Sequence, residues 1–488
     1  MNSSPRIWWG GWLCAAALFL VSASLPAVAA ERPPEPSLEQ RLTAVEAYLR
    51  NADPTAATAS VSTVAGLSGP GHNAWIMLSA ALVLMMTLPG LILFYGGMVR
   101  TKNVLSVAAW CLGIASLVCV VWWAVGYSLV FGRNLDSPFL GGTEYFFLRG
   151  VGSAPHPGYS PWVSHNLFMV FQLTFAVITP AVLIGAVVER MRFAAVLWFT
   201  LLWLLVVYIP VAHMVWGANG FMNGLANPAA GIRAIDFAGG MVVEMASGVS
   251  GLVLCILLGP RLGHGRTPMP PHSLVLTVVG TGFLWFGWYG FNAGSALAAD
   301  GIAAHAFTTT TFAAAVAAGV WGLAEFLVRG RASVLGFCSG AIAGLVTITP
   351  ACGFIDVTGA VVAGVLGSGA AFLACTRLKP WLGYDDALDV LGIHGVGGAV
   401  GLLVTGFWAS PAVNPNLGAL LSSLPSQSLW WEQLKGIGVT LTWSAVGTLL
   451  IGLLVRRLVG LRPDVESETE GLDVSEHGEE GYIFEPKA

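Results

Sequence analysis

The amino-acid sequence predicts an all-α polytopic membrane protein, and three observations support that fold class. Charged residues make up only 10% of the 488 residues, whereas an ordinary soluble domain carries roughly 25%. Hydrophobic residues reach 56%, and the mean hydropathy is +0.74. Eleven apolar stretches are each long enough to cross about 30 Å of hydrocarbon. An ordinary cytosolic enzyme is therefore excluded.

The composition also argues against several other classes of protein. A net charge of −4 leaves no basic surface for nucleic acid, so nucleic acid is not expected as a partner. The seven cysteines lack the paired spacing of a zinc site, so no metal is expected. The sequence has no Walker loop, dinucleotide fingerprint or nucleophile elbow, which predicts a non-enzyme without a cofactor.

The N-terminus has the pattern of a signal peptide over residues 1–30. Arg6 precedes an apolar stretch from Ile7 to Leu25, and small residues follow at 27–30. An uncleaved first membrane helix is the alternative, and Pro26 at the end of the apolar stretch argues against it. We therefore expect the mature chain to begin outside the cytoplasm.

Residues 31–72 are polar and rich in Pro, Ser and Thr, which predicts an external arm. Within it, Leu38, Leu42, Val45 and Leu49 recur at helical spacing. Two heptads are too few for a stable coiled coil, so the pattern favours a short amphipathic helix on the surface over an oligomerising coil.

The membrane domain is predicted over residues 73–460, and a charged cytoplasmic tail follows over 461–488. The eleven predicted spans lie at about 74–97, 104–131, 165–188, 193–211, 236–259, 272–297, 302–328, 333–351, 353–375, 386–410 and 430–455.

Basic residues are distributed unevenly between the connecting loops. Loops after odd-numbered spans carry thirteen: Arg100, Lys102, Arg190, Arg192, Arg261, Arg266, Arg329, Arg331, Arg377, Lys379, Arg456, Arg457 and Arg462. Loops after even-numbered spans carry four: Arg133, Arg149, Arg233 and Lys435. The positive-inside rule therefore places the N-terminus outside and the C-terminus in the cytoplasm.

An internal repeat relates the fifth span to the tenth. A shift of 150 residues aligns the segment from Asp236 to Leu252 with the segment from Asp386 to Leu402, with matching Asp, Gly and Leu positions. Each copy then holds five spans, repeat 1 over about 74–259 and repeat 2 over about 272–410, with span 11 outside both. Because five is odd, the copies are expected to be inverted, as in secondary transporters and channels.

The repeat predicts that two ionisable side chains meet inside the membrane. Glu244 and His394 occupy matched positions, each eight residues after an aspartate suited to cap a helix. Eight residues at 1.5 Å carry each about 12 Å inward from opposite faces, close to the middle of the bilayer. Since ionisable groups there are expensive, we interpret the pair as functional.

Several long motifs carry a family resemblance. They include GLILFYGGMVRTKNVLS, FAVITPAVLIGAVVERMRF, GWYGFNAGSA, GFCSGAIAGLVTITPACGF and DVLGIHGVGG, over about Asn73 to Tyr482. The sequence resembles the ammonium transporter (Amt/Mep/Rh) family, on the Amt/Mep side. The resemblance implies an eleven-span subunit in a homotrimer, with one pore per subunit, that passes ammonium or ammonia across the inner (plasma) membrane.

The resemblance also assigns roles to single residues. It implies an outer recruitment site at Phe171, Trp216 and Ser295, with Asp236 stabilising the cation from behind or holding the shape of the pore. It implies stacked gate rings at Phe171 and Phe291, and we assign Asp386 and Trp288 to the pore wall as structural residues.

The chain departs from the family at the first pore histidine, where it has Glu244. Resemblance to a fungal branch and some bacteria implies a working variant in which Glu244 and His394 relay the proton, as two neutral groups or as an ion pair. A carboxylate favours any small cation, so a hypothesis follows that Glu244 loosens discrimination against potassium.

The tail motif GLDVSEHGEEGY implies contact between subunits and blocking by a PII signalling protein at the cytoplasmic face, with Arg192 and Lys379 as candidate contacts. Positive-inside topology explains these two basic residues equally well. The predicted function is ammonium transport; the alternatives are an ammonium sensor with little transport, a less selective ammonium/potassium channel, and a gas channel of the Rh type, against which Trp216 and Ser295 argue.

Overall fold

The computed structural model describes residues 37–49, 69–424 and 428–483. The predicted signal peptide, most of the predicted arm and the last five residues lie outside these ranges. In chain order the helices are α1 (Leu38–Leu49), α2 (Pro70–Met98), α3 (Thr101–Phe131), α4 (His165–Ala186), α5 (Phe193–Trp216), α6 (Gly240–Leu258), α7 (Leu274–Gly294), α8 (Gly301–Arg329), α9 (Val334–Ile348), α10 (Val357–Leu382), α11 (Leu391–Trp408), α12 (Leu417–Ser423), α13 (Leu429–Leu458) and α14 (Val465–Glu470).

Within the described ranges, ten helices are long and apolar enough to cross a membrane, α2 to α8, α10, α11 and α13. The predicted eighth span corresponds to α9, which has 15 residues and is therefore only about 22 Å long. It ends at Ile348, two residues before Pro350, because proline has no backbone N–H to donate to the carbonyl of the preceding turn. The structure thus gives ten candidate spans and one short apolar helix where the sequence predicted eleven full spans.

Helices α6 and α11 begin later than predicted, at Gly240 and Leu391 instead of at Asp236 and Asp386. Left-handed backbone explains both differences, since Gly239 has φ 115° and Asp389 has φ 61°. Helical geometry cannot pass through either residue. Short irregular segments therefore precede both helices.

The fold is also not purely helical. Pro155–His156 pairs in antiparallel fashion with Ser160–Ser164, forming a small hairpin in the connection between α3 and α4. Pro and Ser break helical periodicity here, and the hairpin leads directly into α4 at His165. The architecture is therefore predominantly helical, with one two-stranded element among the described residues.

The predicted amphipathic helix of the arm is present as α1. Its apolar residues Leu38, Leu42 and Val45 are exposed, at 80%, 60% and 47% of their surface. Nothing among the described residues covers this stripe.

The C-terminal segment packs against the membrane helices at the start of α3. Asp473 accepts hydrogen bonds from the backbone N–H groups of Ser106 (2.7 Å) and Leu105 (3.0 Å), so it caps the first turn of that helix. Lys102 Nζ donates to the carbonyl oxygen of Glu468 at 3.1 Å. The charged segment is therefore ordered against the helix ends.

Candidate functional site

Two ionisable side chains from α6 and α11 touch in the interior of the helix bundle. His394 Nδ1 and Glu244 Oε2 are 2.7 Å apart, and the two side chains are 7% and 1% exposed. The contact that the repeat predicted is therefore present. A single proton can lie between imidazole and carboxyl, as an imidazolium–carboxylate pair or as a neutral pair.

Two glycines allow the helices to cross closely enough for that contact. A Cβ at Gly248 would lie 2.2 Å from the backbone nitrogen of Gly395, and one at Gly398 would lie 2.9 Å from Glu244 Cβ. Gly248 therefore packs against Gly395, the neighbour of His394, and Gly398 packs against Glu244. Small residues at such crossings are typical of membrane helix pairs.

The segments that precede α6 and α11 make matching contacts. The backbone N–H of Phe237 donates to the carbonyl of Pro350 at 3.2 Å, after α9, and that of Ala387 donates to Ala186 at 3.2 Å, at the end of α4. Phe237 and Ala387 are themselves 150 positions apart, like Glu244 and His394. Each candidate repeat thus anchors its pore helix on the other.

An aromatic cluster contains the two residues predicted as gate rings, Phe171 and Phe291, but the stacked pair is a different one. Phe175 and Phe291 stack with ring centroids 4.2 Å apart at 18°. Phe171 meets Phe175 edge-on at 5.0 Å, and no ring contact joins Phe171 to Phe291 among the described residues. The prediction of Phe171 and Phe291 as the stacked pair is therefore wrong, because Phe171 lies one helical turn away from the stack.

Sequence reasoning missed Phe175, although a signal was available. Two phenylalanines four residues apart, in the segment FQLTF, lie on one face of a helix. Both are buried in α4. The four-residue spacing places the two rings one helical turn apart, and the second ring, Phe175, contacts Phe291.

The other predicted residues of the outer site lie around this cluster. Trp216 meets Phe175 edge-on at 5.8 Å, and its Nε1 donates to the carbonyl oxygen of Asp236 at 3.1 Å. Ser295 Oγ donates to the carbonyl oxygen of Phe291 at 2.8 Å. The indole therefore connects the aromatic cluster to the segment before α6.

The Asp236 carboxylate is held by backbone N–H groups. It accepts from Gly239 at 2.9 Å, from Gly240 at 2.6 Å and from Met241 at 2.7 Å. Of the two roles that the sequence left open for Asp236, these bonds favour holding the shape of the segment and the start of α6.

Trp288 connects the stack to neighbouring helices. Its ring lies 5.5 Å from that of Phe291, and its Nε1 donates to Thr349 Oγ1 at 2.8 Å. Thr349 also lies 3.3 Å from Asn292 Oδ1, and Asn292 Nδ2 donates to Thr310 Oγ1 at 2.9 Å. Sequence reasoning named Trp288 but not this buried polar chain, whose members come from α7, α8 and the end of α9.

The described ranges contain no group of three or more His, Cys, Asp or Glu side chains arranged to hold a metal ion. The chemistry available at this site is aromatic faces, hydroxyl groups and one carboxyl–imidazole pair. Such groups bind a small cation by cation–π attraction and hydrogen bonding, and exchange protons.

Comparison with known proteins places the chain among characterised relatives. Residues 74–482 match the sequence model of the Ammonium Transporter Family. The chain is 44% identical to the "Ammonium transporter" of Bacillus subtilis over 412 residues, covering 84% of this chain and 98% of that protein. It is 43% identical to the "Ammonium transporter" of Aquifex aeolicus over 414 residues, covering 84% and 93%.

Solved structures resemble the fold as well. The crystal structure of Saccharomyces cerevisiae Mep2 matches with a TM-score of 0.72 and 36% identity, over 81% of this chain and 90% of that chain. A structure titled "Sensor Amt Protein" matches with a TM-score of 0.74 and 27% identity, over 83% and 98%.

Proposed function

Because this chain belongs to the ammonium transporter family, we propose that it carries ammonium through a pore in which Glu244 and His394 handle the proton. The observation that carries the proposal is the 2.7 Å contact between these two buried side chains. A buried ionisable pair in a membrane helix bundle is expensive to maintain without a task.

Recruitment begins at the outer aromatic residues Phe171 and Trp216, with the Ser295 hydroxyl. The faces of the rings attract a cation, and the hydroxyl accepts a hydrogen bond from it. Trp216 and Phe171 both contact Phe175, which supports a continuous path from this site to the stack.

Phe175 and Phe291 form the gate. The centroids of the stacked rings are 4.2 Å apart, so the rings are in contact and leave no room for a hydrated ion. Ammonium loses its proton near the gate and crosses the apolar segment as ammonia. The Glu244–His394 pair accepts that proton and passes it inward, so that the net transfer is one ammonium ion.

The architecture that we propose is an eleven-span subunit with an inverted five-helix repeat, an external N-terminus and a cytoplasmic C-terminus. The reciprocal bonds of Phe237 and Ala387 support the repeat. The short helix α9, added to the ten longer helices, completes the count of eleven spans. The basic loops support the orientation. Cleavage of residues 1–30, assembly as a homotrimer and location in the inner membrane complete the proposal.

Regulation by a PII protein at the cytoplasmic face is a further part of the proposal, and the docked C-terminal segment supports it. Of the two candidate contacts, Lys379 is engaged by Asp389 at 2.6 Å. Arg192 donates to the carbonyl oxygen of Val459 at 3.3 Å. A partner can reach the exposed Arg192 guanidinium without breaking this bond, whereas contact with Lys379 competes with Asp389.

A less selective ammonium/potassium channel is the second candidate, and Glu244 is the observation that favours it. A carboxylate attracts potassium as well as ammonium. A sensor with little transport is the third candidate, and the similarity to the structure titled "Sensor Amt Protein" is the observation that favours it.

Growth on limiting ammonium tests the proposed function. A bacterial host without its own ammonium transporters should grow when it expresses this chain and should fail to grow with Phe291→Ala and His394→Ala combined. A matched control is Phe286→Ala, because Phe286 is 56% exposed on α7, the helix that carries Phe291. Equal growth with and without the wild-type chain would contradict the proposal.

A further inference from the structure

The two aspartates at matched repeat positions differ in how their carboxylates are satisfied. Both oxygens of Asp236 accept hydrogen bonds, Oδ1 from Gly239 and Gly240 and Oδ2 from Met241. This carboxylate has no strong need for another donor.

Asp386 keeps only part of that arrangement. Its Oδ2 accepts from the backbone N–H of Leu391 at 2.7 Å, which matches the bond of Asp236 to the residue five positions on. The N–H of Val390 also faces the carboxylate. Asp386 Oδ1, however, has no hydrogen-bond partner in the described part of the chain, although the residue is completely buried.

The nearby basic groups are occupied elsewhere. Lys379 acts electrostatically on Asp386, but its Nζ forms an ion pair with Asp389 at 2.6 Å. Arg190 donates to main-chain carbonyl oxygens, among them that of Asp385. These cations make the electrostatic potential around Asp386 more positive without donating a hydrogen bond to Oδ1.

The unpartnered oxygen lies close to the pore pair. Leu391 begins α11, and His394 follows three residues later, which is about 4.5 Å along the helix axis. Tyr95 lies within electrostatic range of both Asp386 and Glu244. The Asp386 carboxylate is therefore about one helical turn from His394, at the end of α11 that the basic loops assign to the cytoplasm.

A buried carboxylate oxygen without a donor is costly, and a ligand that supplies donors removes the cost. We propose that Asp386 Oδ1 is the inner binding site of the pore, which takes up a small cation with N–H donors, namely ammonium, between His394 and the cytoplasm. This inference rests on the proposed function. It gives the two aspartates different tasks: Asp236 shapes the outer segment, and Asp386 binds the cation.

Asp386→Asn tests the assignment in liposomes of defined orientation. Asparagine keeps the size and an acceptor for Leu391, but it removes the charge. Ammonium-driven currents are measured with ammonium applied to either face. We expect the half-saturating ammonium concentration to rise about tenfold from the cytoplasmic face, the equivalent of one charge-assisted hydrogen bond, and to change little from the outer face.

Asp356→Asn is the matched control, because Asp356 also accepts a backbone hydrogen bond at a helix start, from Gly359 at 2.7 Å, but is exposed. It should leave both half-saturating concentrations within about twofold. Unchanged values in Asp386→Asn, or equal rises from both faces, would overturn the inner site. Absence of any ammonium current in the wild type would instead reject the proposed function on which it rests.

A second measurement remains informative if Asp386→Asn does not fold. Infrared difference spectra of the wild-type protein in ammonium chloride against choline chloride should show a shifted carboxylate band. The band should persist in Glu244→Gln and, where the variant folds, vanish in Asp386→Asn. No carboxylate shift in the wild type would overturn the site, and a shift produced by acid alone would assign it to a hydrated proton instead.

Discussion

At the residue scale, we propose that one carboxyl and one imidazole carry the proton chemistry. The sequence predicted both residues and their contact, because the repeat placed them at matched depths on opposite helices. It did not predict the aromatic stack correctly. Which of Phe171 and Phe175 stacks on Phe291 depends on the axial position of α4 relative to α7. No local pattern in either segment determines that position.

Glu244→His tests the link between the carboxyl group and ion selectivity. We expect the ratio of potassium to ammonium current to fall at least about fivefold, the equivalent of roughly 1 kcal/mol, because a neutral imidazole attracts potassium less than a carboxylate does. Currents are compared on the same supported membrane. An unchanged ratio would show that selectivity is set elsewhere.

Phe175→Ala and Phe171→Ala separate the gate from the recruitment site. Removing Phe175 eliminates the 4.2 Å stack, so we expect a potassium current to appear. Removing Phe171 should raise the half-saturating ammonium concentration about fivefold without a potassium current, since a cation–π contact contributes roughly 1 kcal/mol. A potassium current in Phe171→Ala, together with a raised half-saturating ammonium concentration in Phe175→Ala, would identify Phe171 as the gate instead.

At the element scale, α6 and α11 carry the two ionisable residues that touch inside the bundle. Hydropathy located both, but it placed their starts four or five residues early. The left-handed residues Gly239 and Asp389 break the helix, and hydropathy averaged over a whole span does not register a break at one residue. The reciprocal contacts with α4 and with the turn after α9 join elements far apart in sequence, so only the folded chain shows them.

Gly248→Ala tests the crossing of α6 and α11. The added Cβ would lie 2.2 Å from the Gly395 nitrogen, so we expect a loss of about 3 kcal/mol in stability and of the ammonium current. Gly282→Ala is the control, because its Cβ would meet no atom within 4 Å. Thermal unfolding in detergent measures the stability of the two variants. Equal stability of the two variants would contradict the close crossing.

At the scale of the whole molecule, buried ion pairs connect the loops at one end of the bundle. Arg261 Nη2 bonds Asp385 Oδ1 at 2.8 Å, and its Nη1 lies 3.5 Å from Glu189. Burial by itself would raise the pKa of Asp385, but the hydrogen bonds and charge of Arg261 outweigh it and hold the pKa well below its usual range. The loop sequences showed an excess of basic residues without showing their partners.

Arg261→Gln tests this network and its pH dependence. A depressed carboxyl pKa stabilises the fold fully above the ordinary Asp value of about 4, and the contribution is lost as pH falls toward the folded pKa. We expect a loss of about 3 kcal/mol at pH 7 and a smaller difference from the wild type in acid. Thermal unfolding from pH 3 to pH 7 measures it, with exposed Arg266→Gln as the control. A difference that grows in acid would contradict this sign.

The central claim is that the chain moves net ammonium and that Glu244 and His394 handle its proton. Solid-supported-membrane electrophysiology on purified protein in liposomes tests it most directly, with ammonium pulses applied to the wild type and to a variant with Glu244→Ala and His394→Ala combined. We predict a saturable ammonium current in the wild type and none in the double variant. Equal currents from both proteins, or no current from the wild type, would contradict the claim.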